Sequence, residues 1–147
     1  MADPKQLRRV LTQMTQQVEL AQAALREAKA TETLLHDQLQ QLHQYRLDYL
    51  KQAQQQTGNT VAASHYQQFN YFINKLDHAI TQHIYKQRQQ QAKTKELADQ
   101  FQKINQRYQA LQLLIDKTEG QLLQKQAKRE QQAMDEFATL QYVRRRS

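Results

Sequence analysis

The chain divides at the stretch Thr57-Gly58-Asn59-Thr60-Val61-Ala62-Ala63, where helix-breaking residues accumulate. Gly58 and Asn59 both accept a positive φ angle, the backbone conformation with which many helices end. Immediately after the stretch, Ser64 and Gln67 have the spacing of a capping box, in which a serine side chain accepts a hydrogen bond from the first turn of a helix. The sequence therefore predicts that one helix ends just before this stretch and that a second helix begins just after it.

A seven-residue repeat of apolar residues runs through the first predicted helix. Asp3 and Pro4 form a favourable start, because aspartate caps the first turn and proline is tolerated at the first helical position. Steps of four and three residues then select thirteen positions, of which eleven are apolar or tyrosine, a pattern typical of a coiled coil. These positions are Leu7, Leu11, Met14, Val18, Ala21, Leu25, Ala28, Glu32, Leu35, Leu39, Leu42, Arg46 and Tyr49.

The repeat resumes in the second predicted helix and keeps its phase across a polar section. Leu97 lies four heptads beyond Phe69, so the glutamine-rich residues 83–94 are predicted to continue the helix rather than to form a linker. The repeat positions of the first helix form one half of the predicted seam between the helices. The second half of the seam comprises Phe69, Ile73, Leu76, Ile80, His83, Gln87, Gln90, Thr94, Leu97, Phe101, Ile104, Tyr108, Leu111 and Ile115.

Folding the chain at about residue 60 pairs residues whose numbers add up to about 120. The polar section 83–94 then faces 26–37, where the first helix has its own weak seam positions, Ala28 and Glu32. By the same rule the start of the first helix lies opposite residue 117, just before Gly120, so the first helix offers no partner to the second helix beyond that point. We therefore predict an all-α fold, a long antiparallel two-helix coiled-coil hairpin with a C-terminal helical overhang. The predicted single domain spans 1–147, with helix 1 over about 4–56, a turn at 57–63 and helix 2 over about 64–142.

The composition argues against a compact core and against several classes of function. Hydrophobic residues make up 39% of the chain and the mean hydropathy is −0.97, which a two-helix protein with a narrow seam can sustain. No cysteine is present, so disulfides and thiolate metal sites are excluded, as suits a reducing cytosol. No apolar run has the length of a signal-peptide core or a membrane span. A soluble cytoplasmic protein is expected.

The residue patterns offer no metal site and no catalytic site. His36 and His43 are seven residues apart and His78 and His83 are five apart, neither of which is the four-residue spacing of a helical zinc site. Carboxylates are scattered among basic residues, and the chain has no glycine-rich phosphate loop. We expect that the protein is not an enzyme and that it uses no cofactor and no metal.

A second apolar stripe flanks the seam near the turn. Its members follow steps of four, three and four residues on each helix, and antiparallel pairing places both halves on one side of the hairpin. One interpretation is a locally thicker seam whose tyrosine hydroxyls face water. The other is a surface that docks a partner, because aromatic side chains on so thin a scaffold cannot be buried internally. The stripe comprises Gln38, Leu42, Tyr45, Tyr49, Phe72, Leu76, Ala79 and His83.

Three stretches of the chain have the pattern of a known family. They are Gln38, Leu42, Tyr45 and Tyr49 of the second stripe, the run His65-Tyr66-Gln67-Gln68-Phe69 with Leu76, Ala79-Ile80 and Gln82-His83, and Met134-Asp135-Glu136-Phe137-Ala138. These stretches resemble the FliJ family of flagellar export proteins, and the length, the charge and the two-helix plan fit that family across essentially the whole chain. The resemblance implies a soluble cytoplasmic component of the flagellar type III export apparatus, with an antiparallel coiled coil similar to the central stalk of rotary ATPases.

The resemblance also implies partners and residues that contact them. Members of the family insert into the export ATPase ring and promote its assembly, link the ring to the cytoplasmic part of the transmembrane export gate, and recycle export chaperones. The gate-contacting residues of the family carry over to all eight residues of the second stripe. Through such partners the protein would lie at the inner face of the cell membrane. The ring would receive the end of the hairpin distal to the turn, with Leu7, Leu11, Leu122, Met134, Phe137, Arg144 and Arg145 as candidate contacts.

Other functions remain open at this point. The net charge is +7, and fourteen of the 21 basic residues lie in 56–147, ending in Arg144-Arg145-Arg146. A basic tail of this kind can tether a protein to nucleic acid or to an anionic surface, although it is more often a solvated helix end. Nucleic acid is therefore not among the expected partners. A self-associating coiled-coil adaptor and the stalk of a related virulence secretion system would share the same architecture.

Overall fold

The computed structural model describes residues 3–56 and 63–146, which form two long α-helices. Helix α1 spans Pro4–Gln56 and helix α2 spans Ala63–Arg146, and the described residues contain no strand. The helices pack against each other, which confirms the predicted antiparallel two-helix hairpin. The turn predicted around Gly58 and the side chain of the predicted capping serine, Ser64, lie outside the described part of the chain.

The start of α1 has the predicted cap. The Asp3 carboxylate oxygen Oδ1 accepts a hydrogen bond from the Lys5 amide at 3.2 Å, and the Asp3 carbonyl accepts from the Leu7 amide at 3.1 Å. Pro4 occupies the first helical position, where its missing N–H removes no helical bond. The beginning of the helix is therefore fixed by local chemistry alone.

Contacts divide the chain into two compact units. Unit 1 comprises Met1–Glu19 and Lys103–Ser147, and unit 2 comprises Leu20–Gln102. Each unit contains a segment of α1 packed against a segment of α2. That the whole of 1–147 behaves as a single domain stays a prediction.

Unit 2 is held together by the predicted seam. Every described seam position in it is buried or half-buried, whereas most of the positions between them are exposed. Burial that recurs at steps of three and four residues is the pattern of a coiled-coil interface. The buried apolar side chains of this unit are Ala28, Leu39, Leu76 and Ile80.

The polar section of the seam remains helical and makes its own contacts between the helices. The Gln90 side-chain amide donates to the Ala28 carbonyl at 3.3 Å. Thr94 is buried, and its hydroxyl lies 2.9 Å from the Gln90 carbonyl and 3.5 Å from that of Ala28. Because a hydroxyl has one proton, the shorter bond within α2 takes it and Gln90 provides the bond across the seam. Helix α2 is continuous through 83–94, as the heptad phase predicts.

Unit 1 contains a paired segment followed by an unpaired one. Ile115 is only 2% exposed, and the Arg8 guanidinium Nε contacts the Glu119 carboxylate at 2.7 Å. Every residue from 120 to 146 is exposed. This confirms the predicted C-terminal overhang, and α2 extends four residues beyond the predicted end at 142.

Gly120 gives a direct test of the helix at this boundary. A Cβ atom added there meets no heavy atom within 4 Å, and the residue does not have a positive φ angle. Gly120→Ala should therefore stabilise the local helix by up to about 1 kcal/mol, because alanine restricts the unfolded chain more than glycine does.

Amide hydrogen exchange of residues 118–124 would measure the effect of this change. The matched control is Ala127→Gly in the same exposed helix, which should accelerate exchange by a comparable factor. Unchanged or faster exchange in Gly120→Ala would contradict a helical Gly120.

Candidate partner-binding surfaces

Four aromatic rings in unit 2 form a cluster between α1 and α2. Tyr49 stacks on Phe69, with ring centroids 5.2 Å apart and an interplanar angle of 8°. Phe72 lies 4.5 Å from Tyr49 and 5.9 Å from Tyr45, the latter in an edge-to-face arrangement. The predicted pair Tyr49–Phe72 is thus in contact. Tyr45 and Phe72, the two aromatic members of the second stripe that lie outside the seam, meet on the same side.

Exposure varies strongly among the eight residues of the second stripe. Leu76 is buried, at 8% exposure, and is part of the core. Tyr45 is 54% exposed, and Gln38 is also exposed. One edge of the stripe is therefore seam and the other faces solvent, and docking of a partner stays a prediction. The remaining members, Leu42, Tyr49, Phe72, Ala79 and His83, are half-buried.

Phe72 is less accessible than its position outside the seam suggests. Its ring is covered on two sides by Tyr45 and Tyr49. Aromatic pairs in such geometries contribute about 0.5–1.5 kcal/mol beyond their buried area. Phe72 therefore supports the fold as well as the surface of the stripe.

His83 has a buried nitrogen that the folded chain does not satisfy. Its Nε2 atom has no hydrogen-bond partner among the described protein atoms. A buried polar atom in this state typically costs about 1–3 kcal/mol. The histidine therefore contributes less to stability than an apolar residue of similar size would.

An ion pair near the cluster was not predicted from the sequence. The Arg46 guanidinium Nε contacts the Asp77 carboxylate oxygen Oδ1 at 2.6 Å across the two helices. Both side chains are partly exposed, so the pair contributes on the order of 1 kcal/mol or less. The sequence feature that could have indicated this ion pair is the charged residue Arg46, which occupies a seam position although most seam residues are apolar. Its partner follows from the same pairing rule, since 46 and 77 add up to 123.

The candidate residues in unit 1 fall into two groups. Leu7 and Leu11 are half-buried seam residues. Leu122, Met134 and Phe137 are 43%, 70% and 63% exposed, respectively. Arg144 and Arg145 are exposed in the last turn of α2, where the next residue, Arg146, lies 5.2 Å from the Tyr142 ring. The second group therefore forms an apolar and basic helix surface without intramolecular packing of its apolar side chains.

The described residues contain neither a candidate metal site nor a candidate membrane span. Across 3–56 and 63–146, no three histidine or carboxylate side chains come together in a way that could hold a metal ion. In the same described ranges, neither helix has a segment long and apolar enough to cross a membrane.

Comparison with known proteins identifies the family. The family model described as "Flagellar FliJ protein" matches residues 4–147. Neither the curated proteins nor the solved structures yield a match. The matched region contains all of α1, all of α2 and both candidate surfaces. The chain therefore belongs to the FliJ family of flagellar protein export components.

Proposed function

We propose that this protein is the stalk of the flagellar type III export apparatus. In this role it promotes assembly of the export ATPase ring, couples the ring to the cytoplasmic part of the transmembrane export gate, and escorts export chaperones. It would act in the cytoplasm and reach the inner face of the membrane through these partners. The family match favours a flagellar stalk over one from a virulence secretion system. The half-exposed aromatic stripe is the observation that carries the proposal.

Gate docking is supported by the mixed character of the second stripe. Tyr45 exposes about half of its surface while its ring is held by edge-to-face contact with Phe72. A side chain that is ordered before binding loses less conformational entropy when a partner covers it. Tyrosine is also among the residues enriched at the energetic centres of interfaces. Tyr45 is therefore the best candidate anchor for the gate.

Tyr45→Ala should separate binding from folding. We expect it to weaken binding of the purified cytoplasmic gate domain about tenfold or more, because a hot-spot aromatic contributes more than about 1–2 kcal/mol. Its unfolding free energy should change far less than that of Leu76→Ala, which removes a core side chain and should cost about 2–5 kcal/mol. Calorimetric titration and urea unfolding would measure the two quantities.

Tyr142→Ala is the matched control, because Tyr142 is 59% exposed but lies in unit 1. It should leave gate affinity unchanged. Phe72→Ala should weaken both stability and binding, since this ring packs against two others. If Tyr45→Ala unfolds the protein, the stripe is core; if gate affinity is unaltered, the docking surface lies elsewhere.

Binding to the ATPase ring is supported by the exposed C-terminal segment of α2. Residues 120–146 are all exposed, their apolar side chains included, and the segment ends in three arginines. A helix with an uncovered apolar face can bury that face in a groove or channel of a partner. A partner can therefore bind this segment without breaking contacts between α1 and α2.

Deletion of residues 121–147 should abolish stimulation of ring assembly while preserving the paired part of the protein. Residues 121–146 are exposed, so the seam is left intact. Ring formation by negative-stain microscopy and ATPase rate would report on the partner, and gate affinity would confirm that the remaining protein is folded. Full stimulation by the truncated protein would show that the ring binds another part of the chain.

A further inference from the structure

The outer face of α2 in unit 2 carries a repeated arrangement of rings and polar side chains. Each repeat consists of a ring at one position and a contacting side chain four residues later, and successive repeats are seven residues apart. At 1.5 Å per residue the rings are about 10.5 Å apart along the helix. The three pairs are Tyr71 with the Lys75 ammonium 4.7 Å from its centroid, His78 with Gln82 at 3.1 Å, and Tyr85 with Gln89 at 2.9 Å. We call these six residues the outer stripe.

Each pair of the outer stripe presents a hydrogen-bond donor to solvent. The Gln82 side-chain nitrogen lies 3.1 Å from Nε2 of His78, and because a side-chain amide has two N–H groups, at least one of them remains available as a donor. The Gln89 amide donates to the Tyr85 oxygen, which leaves the phenolic O–H as a donor. Lys75 contributes its ammonium group. All six side chains are exposed, so these donors are accessible.

The next four basic residues of α2 after Tyr85 of the outer stripe have no acidic neighbour between them on the same helix. No acidic residue occurs between Asp77 and Glu96, although four basic residues do, and all four are exposed. Asp77 itself is ion-paired with Arg46. Clustered charge of one sign raises the local concentration of partners of the other sign and accelerates their association. The four basic residues are Lys86, Arg88, Lys93 and Lys95.

The depression beside the outer stripe supplies room for a partner's side chains. It is open to solvent and has a volume of about 410 Å³. Five of its lining residues are exposed polar or aromatic side chains, and the sixth, Ala79, is small and half-buried. The lining residues are Tyr71, Asn74, Lys75, His78, Ala79 and Gln82.

We propose that the outer stripe docks an acidic helix of a partner protein. Such a helix presents carboxylates at the same seven-residue repeat, so successive glutamates can meet successive donor pairs. The phosphates of a nucleic acid strand recur about every 3.4 Å, so every third phosphate would match this spacing and the repeat by itself does not distinguish the two partners. Single strands, however, need open ring faces for stacking, whereas the Tyr71 face is covered by Lys75. The second stripe shares only Ala79 with this surface, and the exposed end of α2 shares no residue with it.

The test uses the full-length protein and a defined probe. The probe is an alanine-rich helical peptide with glutamate at every seventh position, and its control has glutamine at those positions. We expect the glutamate peptide to bind at least about tenfold more tightly at low salt than the glutamine peptide, because carboxylates pair with the Lys75 ammonium, accept hydrogen bonds from the other donor pairs and are attracted by the neighbouring basic residues. Fluorescence anisotropy with labelled peptides would measure both affinities.

Variants locate the binding on the outer stripe. Lys75→Gln with Arg88→Gln should weaken binding of the glutamate peptide about threefold to tenfold. The matched control, Lys29→Gln with Lys51→Gln, removes the same charge from exposed positions of α1 and should change the affinity less than about twofold. Tyr85→Phe removes one donor but keeps the ring, so it should weaken binding about twofold to threefold without loss of helicity.

Several results would overturn the proposal. One is equal weakening by the two double variants, which would mean diffuse electrostatic attraction. Another is the absence of binding by the glutamate peptide, or equal binding by the glutamine peptide. Tighter binding of single-stranded oligothymidine or of phosphatidylserine vesicles than of the glutamate peptide, lost in the Lys75→Gln/Arg88→Gln variant, would assign the surface to those ligands instead.

Discussion

Each helix of this protein has only one other helix to bury its apolar side chains against, and this constraint determines most of the structure. No described side chain with a large volume is completely buried. The apolar seam therefore fixes which faces meet but leaves the register weakly specified. Polar contacts across the seam supply the missing specificity, as Gln90 does by donating to the Ala28 carbonyl and Arg46 by pairing with Asp77. A buried polar position that sets register is a well-attested use of polar groups in coiled coils.

The same constraint explains why binding surfaces arise so close to the core. In a two-helix interface, a side chain one position away from the seam is already half in solvent. Leu76 and Tyr45 belong to one stripe, yet one is core and the other is half exposed. Substitutions in such a stripe will affect stability and binding in different proportions, according to how far each residue lies from the seam. Phe72 is intermediate because neighbouring rings cover it.

Periodicity predicted the features that depend on the angular position of residues around a helix. These include the seam, the continuity of α2 through 83–94, and the unpaired segment after Gly120. It could not predict features that depend on side-chain conformation. The half-burial of Phe72 and the partnerless nitrogen of His83 are of this kind. The basic residues in the last described turn of α2 interact favourably with the helix dipole and favour helix beyond 142.

The unpaired segment 120–146 has a thermodynamic consequence for any partner that recognises it as a helix. Without tertiary packing, the helical fraction of this segment is set by intrinsic propensity and end effects. A partner's apparent dissociation constant equals the intrinsic constant divided by that fraction. Residues of the segment that do not contact the partner then also change its affinity, because they change the helical fraction. The partner's apparent dissociation constant therefore depends on the many glutamines and the one glycine of this segment as well as on the residues that contact the partner.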